Sequence, residues 1–461
     1  MRAIMKPTLA VAAVLMLVLP VSVSVAGELS VEDAVERTLR NADSARRGRL
    51  EVQRSTSALR AAQAERFPSV SLSLSGSYLT DTDRTFDLEA GALGTIPDDP
   101  ELIPIPPEDV EFDIALPNTV YRATATLEQP LFTWGQISRG IDAARLDREI
   151  RRAELRETEQ DLRRDVREVY FGAVFAREAE QLLAEMHRVT GDIVADRRLN
   201  YAEGTVTREA VLEAEAQLAE LHAALTETRE SGEDAREALA FYTRGGRPEI
   251  GGLSSSFRAS VPTLSEPELV ELALSGSPRR DALAAQRRQA EAAAAAARGD
   301  RPLLPQLGLE ISLEGYSERF PYLEDDWRDR SDYTVIISIG SEISLFDSGR
   351  RRWSITEAEQ RASIARTGLE ELERGMGLEV RRAVGGVRRE AATLERREAE
   401  AAFAEERYRN AQVAYQNETI TREEERLARL GALEAEAALI EARYELERAL
   451  TRLEHTVADA L

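Results

Sequence analysis

The chain has 461 residues, a formal net charge of −23, 31% charged side chains and no cysteine. The missing cysteine excludes disulfides, thiolate metal sites, a thiol nucleophile and a lipid-modified cysteine at a mature N-terminus. The acidic balance argues against nucleic acid as a partner, because phosphate contacts need clustered Lys and Arg. Lys6 is the only lysine, and the all-arginine basic set reads most simply as genomic base composition.

Residues 1–26 read as a signal peptide. Arg2 and Lys6 precede the apolar run Thr8–Leu19, Pro20 breaks it, and Ser24-Val25-Ala26 supplies the small residues a signal peptidase reads. The run is short of the ~20 residues a membrane-spanning helix needs. No later stretch is apolar enough to span as a helix, so any membrane insertion of the exported chain has to use strands.

Leu29–Arg66 reads as two helices, the first capped by Ser30, and Phe67-Pro68 ends them. Residues 69–80 alternate strictly, with Val70, Leu72, Leu74, Gly76 and Tyr78 on one face and five serines on the other. Such alternation fits a soluble sandwich or a lipid-facing barrel strand equally well. Asp81–Asn118 follows as a 38-residue loop with six prolines, eleven acids and one arginine. A second alternating strand, 119–128, leads through Pro130 into a proline-free helix, 136–200, about 100 Å long at 1.5 Å per residue. Its apolar stripe (Ile141, Leu146, Ile150, Leu155, Leu162, Val166) is narrow, as in a coiled coil. Tyr201–Thr205 breaks the helix at Gly204, and a returning helix covers 206–241.

A Gly- and Ser-rich linker, 245–267, separates this first half, 27–244, from a second, 268–461, that repeats it. Short helices (Glu268–Ser275, Pro278–Arg298) precede strands 306–316 and 333–343, the latter with Ile336 on its polar face. A shorter acidic loop, Ser317–Asp332, lies between the strands. Helices 350–414 and 420–460 follow, with Gly385-Gly386 placed to permit a bend. Leu131, Phe132 and Gly135 in LEQPLFTWG map onto Leu345, Phe346 and Gly349 in SEISLFDSG, 214 residues later. Pro68 maps onto Pro305 at 237, and the 23-residue excess is the longer first loop.

In this order, twice over, the chain resembles the TolC-type outer-membrane efflux family along its whole mature length. The motifs that carry the likeness are ARGDRPLLPQLGLEISL (Ala297–Leu313), QPLFTWG, ISLFDSG, YAEGTVTREAVLEAEAQL (Tyr201–Leu218), AALIEARYELERAL (Ala437–Leu450) and LAFYTRGGRPE (Leu239–Glu249). The resemblance implies an α+β membrane protein with a two-fold internal repeat, each half giving two barrel strands and long coiled-coil helices. It further implies a homotrimer, in which a shared β-barrel sits in outer-membrane lipid and an α-helical tunnel crosses the periplasm. Four strands cannot close a barrel alone, which agrees with association.

The implied function is a passive exit duct for a tripartite efflux pump or a type I secretion system, fed by a periplasmic adaptor (membrane fusion) protein and an inner-membrane pump or ABC exporter. The competing class is a structural periplasmic coiled coil or surface scaffold without channel activity. No catalytic constellation, cofactor motif or metal-ligand spacing is present: His187, His222 and His455 are scattered over helices. The helix-hairpin tips carry more. By the resemblance, Gly204, Thr205, Glu418 and Thr419 mark the tips where the adaptor docks, and Tyr415 matches the family's gating tyrosine. Glu424 falls on the acidic-ring position, flanked by Glu423 and Glu425. The next ring position holds Leu427, the usual tip glycine is Glu418, and Ile420 and Ala210 also depart from the gate pattern. Pro130, Phe132, Gly135, Phe346 and Gly349 mark the barrel-to-tunnel seam. Because Ser344 stands opposite Pro130, the two seams are expected to differ in local geometry.

Overall fold

The computed structural model describes residues 29–80, 83–98, 101–115, 118–245, 253–258, 263–299, 306–317, 331–341 and 346–458. The expected signal segment, most of the linker, most of the second acidic loop, and Ser344 and Leu345 lie outside them. Packing divides the chain into a helical unit (residues 1–46, 158–276 and 376–461) and a strand-bearing unit (residues 47–157 and 277–375).

The strand-bearing unit is built on β1 (Ser69–Tyr78), β6 (Thr119–Phe132), β7 (Leu307–Ser317) and β8 (Ser331–Gly340), hydrogen-bonded antiparallel in the order β1-β6-β7-β8. Register turns the period-2 sequence pattern into two chemically distinct faces. One carries the rows Val70–Leu127–Ile311–Ile337 and Leu72–Ala125–Leu313–Val335. The other carries Ser73–Thr124–Glu314–Thr334 and Ser69–Glu128–Glu310–Ser338, with Ile336 in the row of Ser71 and Ser312. On the outer strands the apolar side chains are bare: Val70, Leu72, Leu74, Val335, Ile337 and Ile339 are 62–73% exposed.

The long first loop is not structureless. It folds as an antiparallel ribbon of β2 (Asp83–Leu88) with β5 (Val110–Ala115), continued by β3 (Thr95–Asp98) with β4 (Glu101–Pro104). Also in this unit, α6 (Pro278–Gly299) packs beside the first turns of α3 (Gln136–Ala202) through Arg288–Glu149 at 2.9 Å and Arg156–Asp281 at 2.8 Å.

In the helical unit, α1 (Val31–Asn41) is capped by Ser30, whose side chain accepts from Asp33 N–H. Val31 and Ala34 of α1 join Val166, Tyr170, Phe171 and Val174 of α3, Leu239 of α4 (Arg208–Thr243) and Leu253 in one core. A second seam joins Met186, Val189 and Ile193 of α3, Leu221 of α4, and Leu430 and Leu433 of α8 (Arg422–Thr456). These cores are thin and linear, as the narrow sequence stripe requires. α7 (Arg350–Gln416) passes through Gly385-Gly386 without a break in the helix; the remaining helices among the described residues are α2 (Asp43–Ala64) and α5 (Glu266–Gly276).

The segment 253–258 is fastened to this unit. Leu253 bridges Leu29 in parallel fashion, Ser255 N–H donates to the Tyr170 hydroxyl (3.0 Å), and that hydroxyl donates to the Leu29 carbonyl (2.7 Å). Arg258 completes the attachment, donating to Glu447 through both its backbone N–H (2.8 Å) and its guanidinium (2.7 Å), and also reaching Glu454. Arg167 donates to the other Glu454 oxygen at 2.5 Å, and the Glu447 side chain is 0% exposed. Burial by itself would lower the Arg258 pKa, but its bonds to the two carboxylates outweigh that and raise it.

Candidate functional site

The two hairpin tips are built by the same backbone hydrogen bonds. At the end of α3, Thr205 N–H donates to the Asn200 carbonyl (2.9 Å) and Gly204 N–H to Tyr201 (3.0 Å), with Gly204 at φ 76°. At the end of α7, Thr419 N–H donates to Ala414 (2.9 Å) and Glu418 N–H to Tyr415 (2.9 Å), with Glu418 at φ 57°. Each is a Schellman motif, which satisfies the last carbonyls by placing one residue in the left-handed region. The Thr205 and Thr419 hydroxyls bond back to the same carbonyls as their own N–H groups.

The next helices start alike. Thr207 caps α4 and Thr421 caps α8, but only the second has a full capping box. There the Glu424 carboxylate accepts from Thr421 N–H (2.7 Å) and Oγ1 (3.0 Å). These bonds, the backbone one first, hold the Glu424 pKa below its ordinary value.

The neighbouring Glu423 has different surroundings. Glu423 accepts from Arg197 of α3 at 2.8 Å, and Arg426 of α8 pairs with Asp196 of α3. Arg197 also donates to the Ala210 carbonyl (3.0 Å), so one guanidinium ties α3 to both α4 and α8. Tyr415 accepts from Arg422 Nε at 2.9 Å, and the same guanidinium lies 5.9 Å from the ring centroid. Near the tips, oppositely charged side chains cross-link α3 and α8, while Glu424 serves its own helix. Sequence spacing gave no sign of Arg197 or Asp196, because their partners lie more than 220 residues away.

The histidines are less scattered than their numbers suggest. His187 and His222 have ring centroids 5.8 Å apart, because they stand 17 residues before and 18 after Gly204 on antiparallel helices. His455 lies 3.0 Å from Asp161. Hairpin register about Gly204 was the signal that could have found the first pair.

The strand-to-helix junctions depart from expectation. Pro130 does not turn the chain: it lies inside β6 opposite Gly308, where its missing N–H coincides with a register shift between Pro130 and Phe132. The reversal falls on Trp134 and Gly135, at φ 52° and 80°. At the second junction Ser348 and Gly349 adopt φ 55° and 82°, so the described parts of the two seams are alike rather than different. They differ in how the helix start is satisfied. Both share one carbonyl bond, Gln136 N–H to Thr133 and Arg350 N–H to Asp347, but only at the second does a side chain add to it, the Asp347 carboxylate accepting from the Gly349 and Arg351 N–H groups. Phe132 stacks edge-on against Trp134 at 4.4 Å, while Phe346 is exposed.

At the foot of the sheet is a cavity of about 960 Å³, lined among others by Glu128, Glu310, Ser69 and Ser338 of the polar face. Among the described residues, no helix is long and apolar enough to cross a membrane, and no group of three or more His, Cys, Asp or Glu could hold a metal ion.

Three solved structures share this fold over 93% of the chain. The Campylobacter jejuni CmeC outer membrane channel matches with TM-score 0.70, 16% identity and 85% of its own length. The Vibrio cholerae outer membrane protein VceC matches with TM-score 0.69, 17% identity and 96% of its length. A membrane protein from Pseudomonas aeruginosa matches with TM-score 0.70, 18% identity and 93% of its length. No curated protein sequence matches significantly. The model of the outer membrane efflux protein family matches residues 34–243 and 269–458, one stretch in each half, and the chain belongs to that family.

Proposed function

We propose that the protein is a passive outer-membrane exit duct that works as a homotrimer in a tripartite efflux pump or type I secretion system. The observation that carries this reading is the sheet. Four strands end in two outer strands, β1 and β8, whose apolar side chains are exposed on one continuous face, and whose opposite face is hydroxyl-lined. Such edges need a partner, and three copies joined β8 to β1 would close a twelve-stranded barrel, an even number typical of outer-membrane barrels. Leu72, Leu74, Leu309 and Ile311 then meet lipid. Ser71, Ser73, Ser75, Ser312, Glu310 and Glu314 line the lumen, where Glu128 beside Glu310 favours cations.

The duct does no chemistry. Export follows removal of residues 1–26. Energy comes from an inner-membrane pump or ABC exporter through a periplasmic adaptor that docks at Gly204, Thr205, Glu418 and Thr419. Tyr415 and the acids Glu423, Glu424 and Glu425 form the periplasmic gate. Since Glu423 and Glu424 are already engaged by Arg197 and Thr421, the field of the whole cluster, not one carboxylate, acts on permeating cations.

The test is to purify the mature protein from outer membranes and measure its mass in detergent and its conductance in a planar bilayer. A trimer that opens ion channels is expected; a monomer that inserts none would overturn the reading. Replacing Glu424 with Ala should then weaken cation block of the current, and unchanged block would remove it from the gate.

A further inference from the structure

The β2–β5 ribbon is amphipathic in a way the duct reading leaves unused. Phe86 stands directly opposite Phe112, and Leu88 opposite Val110, while Asp87 pairs with Glu111 on the other face. Phe86 is 54% exposed and Phe112 49%, and farther out Leu93, Ile96 and Ile103 are exposed too. A two-stranded ribbon is marginal in water unless its apolar face is covered. Nothing described within the chain covers this one.

The ribbon's root says where the cover comes from. β2 follows β1, the outer strand of the sheet, and Leu79 N–H donates to the Asn118 carbonyl (2.7 Å) to extend the β1–β6 ladder toward the ribbon. In a closed assembly, β1 is where the next copy begins, so the ribbon rises from the seam between copies. A twelve-stranded barrel with ~4.8 Å strand spacing and ~40° tilt has a radius of about 12 Å. Strands of six residues reach about 20 Å, enough to arrive at the axis. Charge chooses the face: acidic faces turned toward one another would repel, whereas the Phe86–Phe112 faces can meet without bringing Asp87 and Glu111 together.

We propose that the ribbons of neighbouring copies pack against one another through their Phe86–Phe112 faces, forming a cap over the outer mouth of the barrel. This rests on the trimeric duct reading. It gives the protein a built constriction at the end opposite the helices, formed by a second copy of the same chain rather than by lipid.

The chain lacks cysteine, so a single introduced thiol is unique. Phe112→Cys and Asp87→Cys variants of the full protein, in outer membranes, are treated with a short bis-maleimide, and the detergent mass of each is measured in parallel. Covalent dimers from Phe112→Cys and none from Asp87→Cys are expected. Equal cross-linking of the two, or none, in a protein that is still trimeric would overturn the cap and leave the duct standing; loss of the trimer itself would remove both. Labelling of Phe112→Cys by a maleimide-bearing lipid, in place of cross-linking, would assign the face to the membrane and overturn the cap. As a second measurement, a Phe86→Asp/Phe112→Asp double variant should raise single-channel conductance by parting the faces. Unchanged conductance in an intact trimer would place the ribbons outside the conduction path and equally overturn it.

Discussion

The two halves reach the same backbone with different side chains, and the differences fall where the halves have different neighbours. Each hairpin tip is a Schellman turn, yet the left-handed residue is Gly204 in one and Glu418 in the other. Glu233 of α4 and Glu447 of α8 occupy equivalent positions, both 26 residues after their capping threonines. Glu233 pairs within its own helix with Arg236 and stays 40% exposed, while Glu447 is wholly buried under Arg258. Hydrogen-bonded turns repeat because their geometry tolerates several residues. A buried charge is kept only where a neutralising group reaches it: segment 253–258 brings Arg258 to Glu447, whereas toward α4 it brings the apolar Leu253.

That asymmetry gives the largest expected effect. Arg258→Met takes the counter-charge from Glu447, leaving it only the backbone N–H of residue 258, and leaves Glu454 with Arg167 alone; removing one partner of a buried pair costs about 3–5 kcal/mol. Arg236→Met, at the equivalent carboxylate, should cost under about 1 kcal/mol because Glu233 keeps water. Thermal unfolding of the purified protein followed by circular dichroism measures both. A sharper form adds Glu447→Met to Arg258→Met: the pair should recover much of the loss, since a well-packed apolar pair replaces a buried ionic one at little net cost. Equal destabilisation by Arg258→Met and Arg236→Met would break the comparison.

The tips come next. Gly204→Glu should destabilise the first turn by about 1 kcal/mol and Glu418→Gly stabilise the second by a similar amount or less, because a Cβ is penalised at positive φ. Amide exchange at Thr205 and Thr419, the donors that close each motif, reads each effect locally. No change at either site would mean that the left-handed residue does not limit the turn.

Much of this was legible in the sequence, for physical reasons. Period-2 alternation is a local signal, so β1 and β7 and even Ile336 on the wrong face could be read before any pairing was known. Repetition at a fixed spacing exposed both halves. The ribbon was missed because six prolines and eleven acids spoke for a loop, although Phe86, Leu88, Val110 and Phe112 alternate within it. Pro130 misled because proline usually ends strands, whereas here a register shift accommodates it. Trp134 and Ser348 carry no composition signal for positive φ. The Arg258 attachment and the Arg197–Glu423 pair join residues 189 and 226 apart, so only the fold could introduce them.

The smallest effect separates the two capping threonines by pH. At neutral pH, Thr421→Ala should loosen α8 more than Thr207→Ala loosens α4, because besides the cap it removes the Oγ1 bond to the Glu424 carboxylate; each cap is worth about 1 kcal/mol. Only the box titrates. In the folded chain the Thr421 bonds hold Glu424 below its ordinary pKa of 4.5, the value it regains on unfolding. A carboxylate with a depressed folded pKa contributes its stability above the unfolded value and loses it as pH falls through the folded one. Protection of the Glu424 and Glu425 amides, which donate to Thr421, should therefore decline below about pH 4.5. The Ala210 amide, held by the uncharged Thr207 hydroxyl, should not follow. Glu423, paired with Arg197, stands beside the box, so the pH response is assigned by substitution. Glu424→Gln makes the assignment: it keeps an acceptor within reach of Thr421 but has no proton to gain. If the decline at Glu425 persists unaltered in that variant, it does not come from the capping box, and the two tips are not distinguished by their caps.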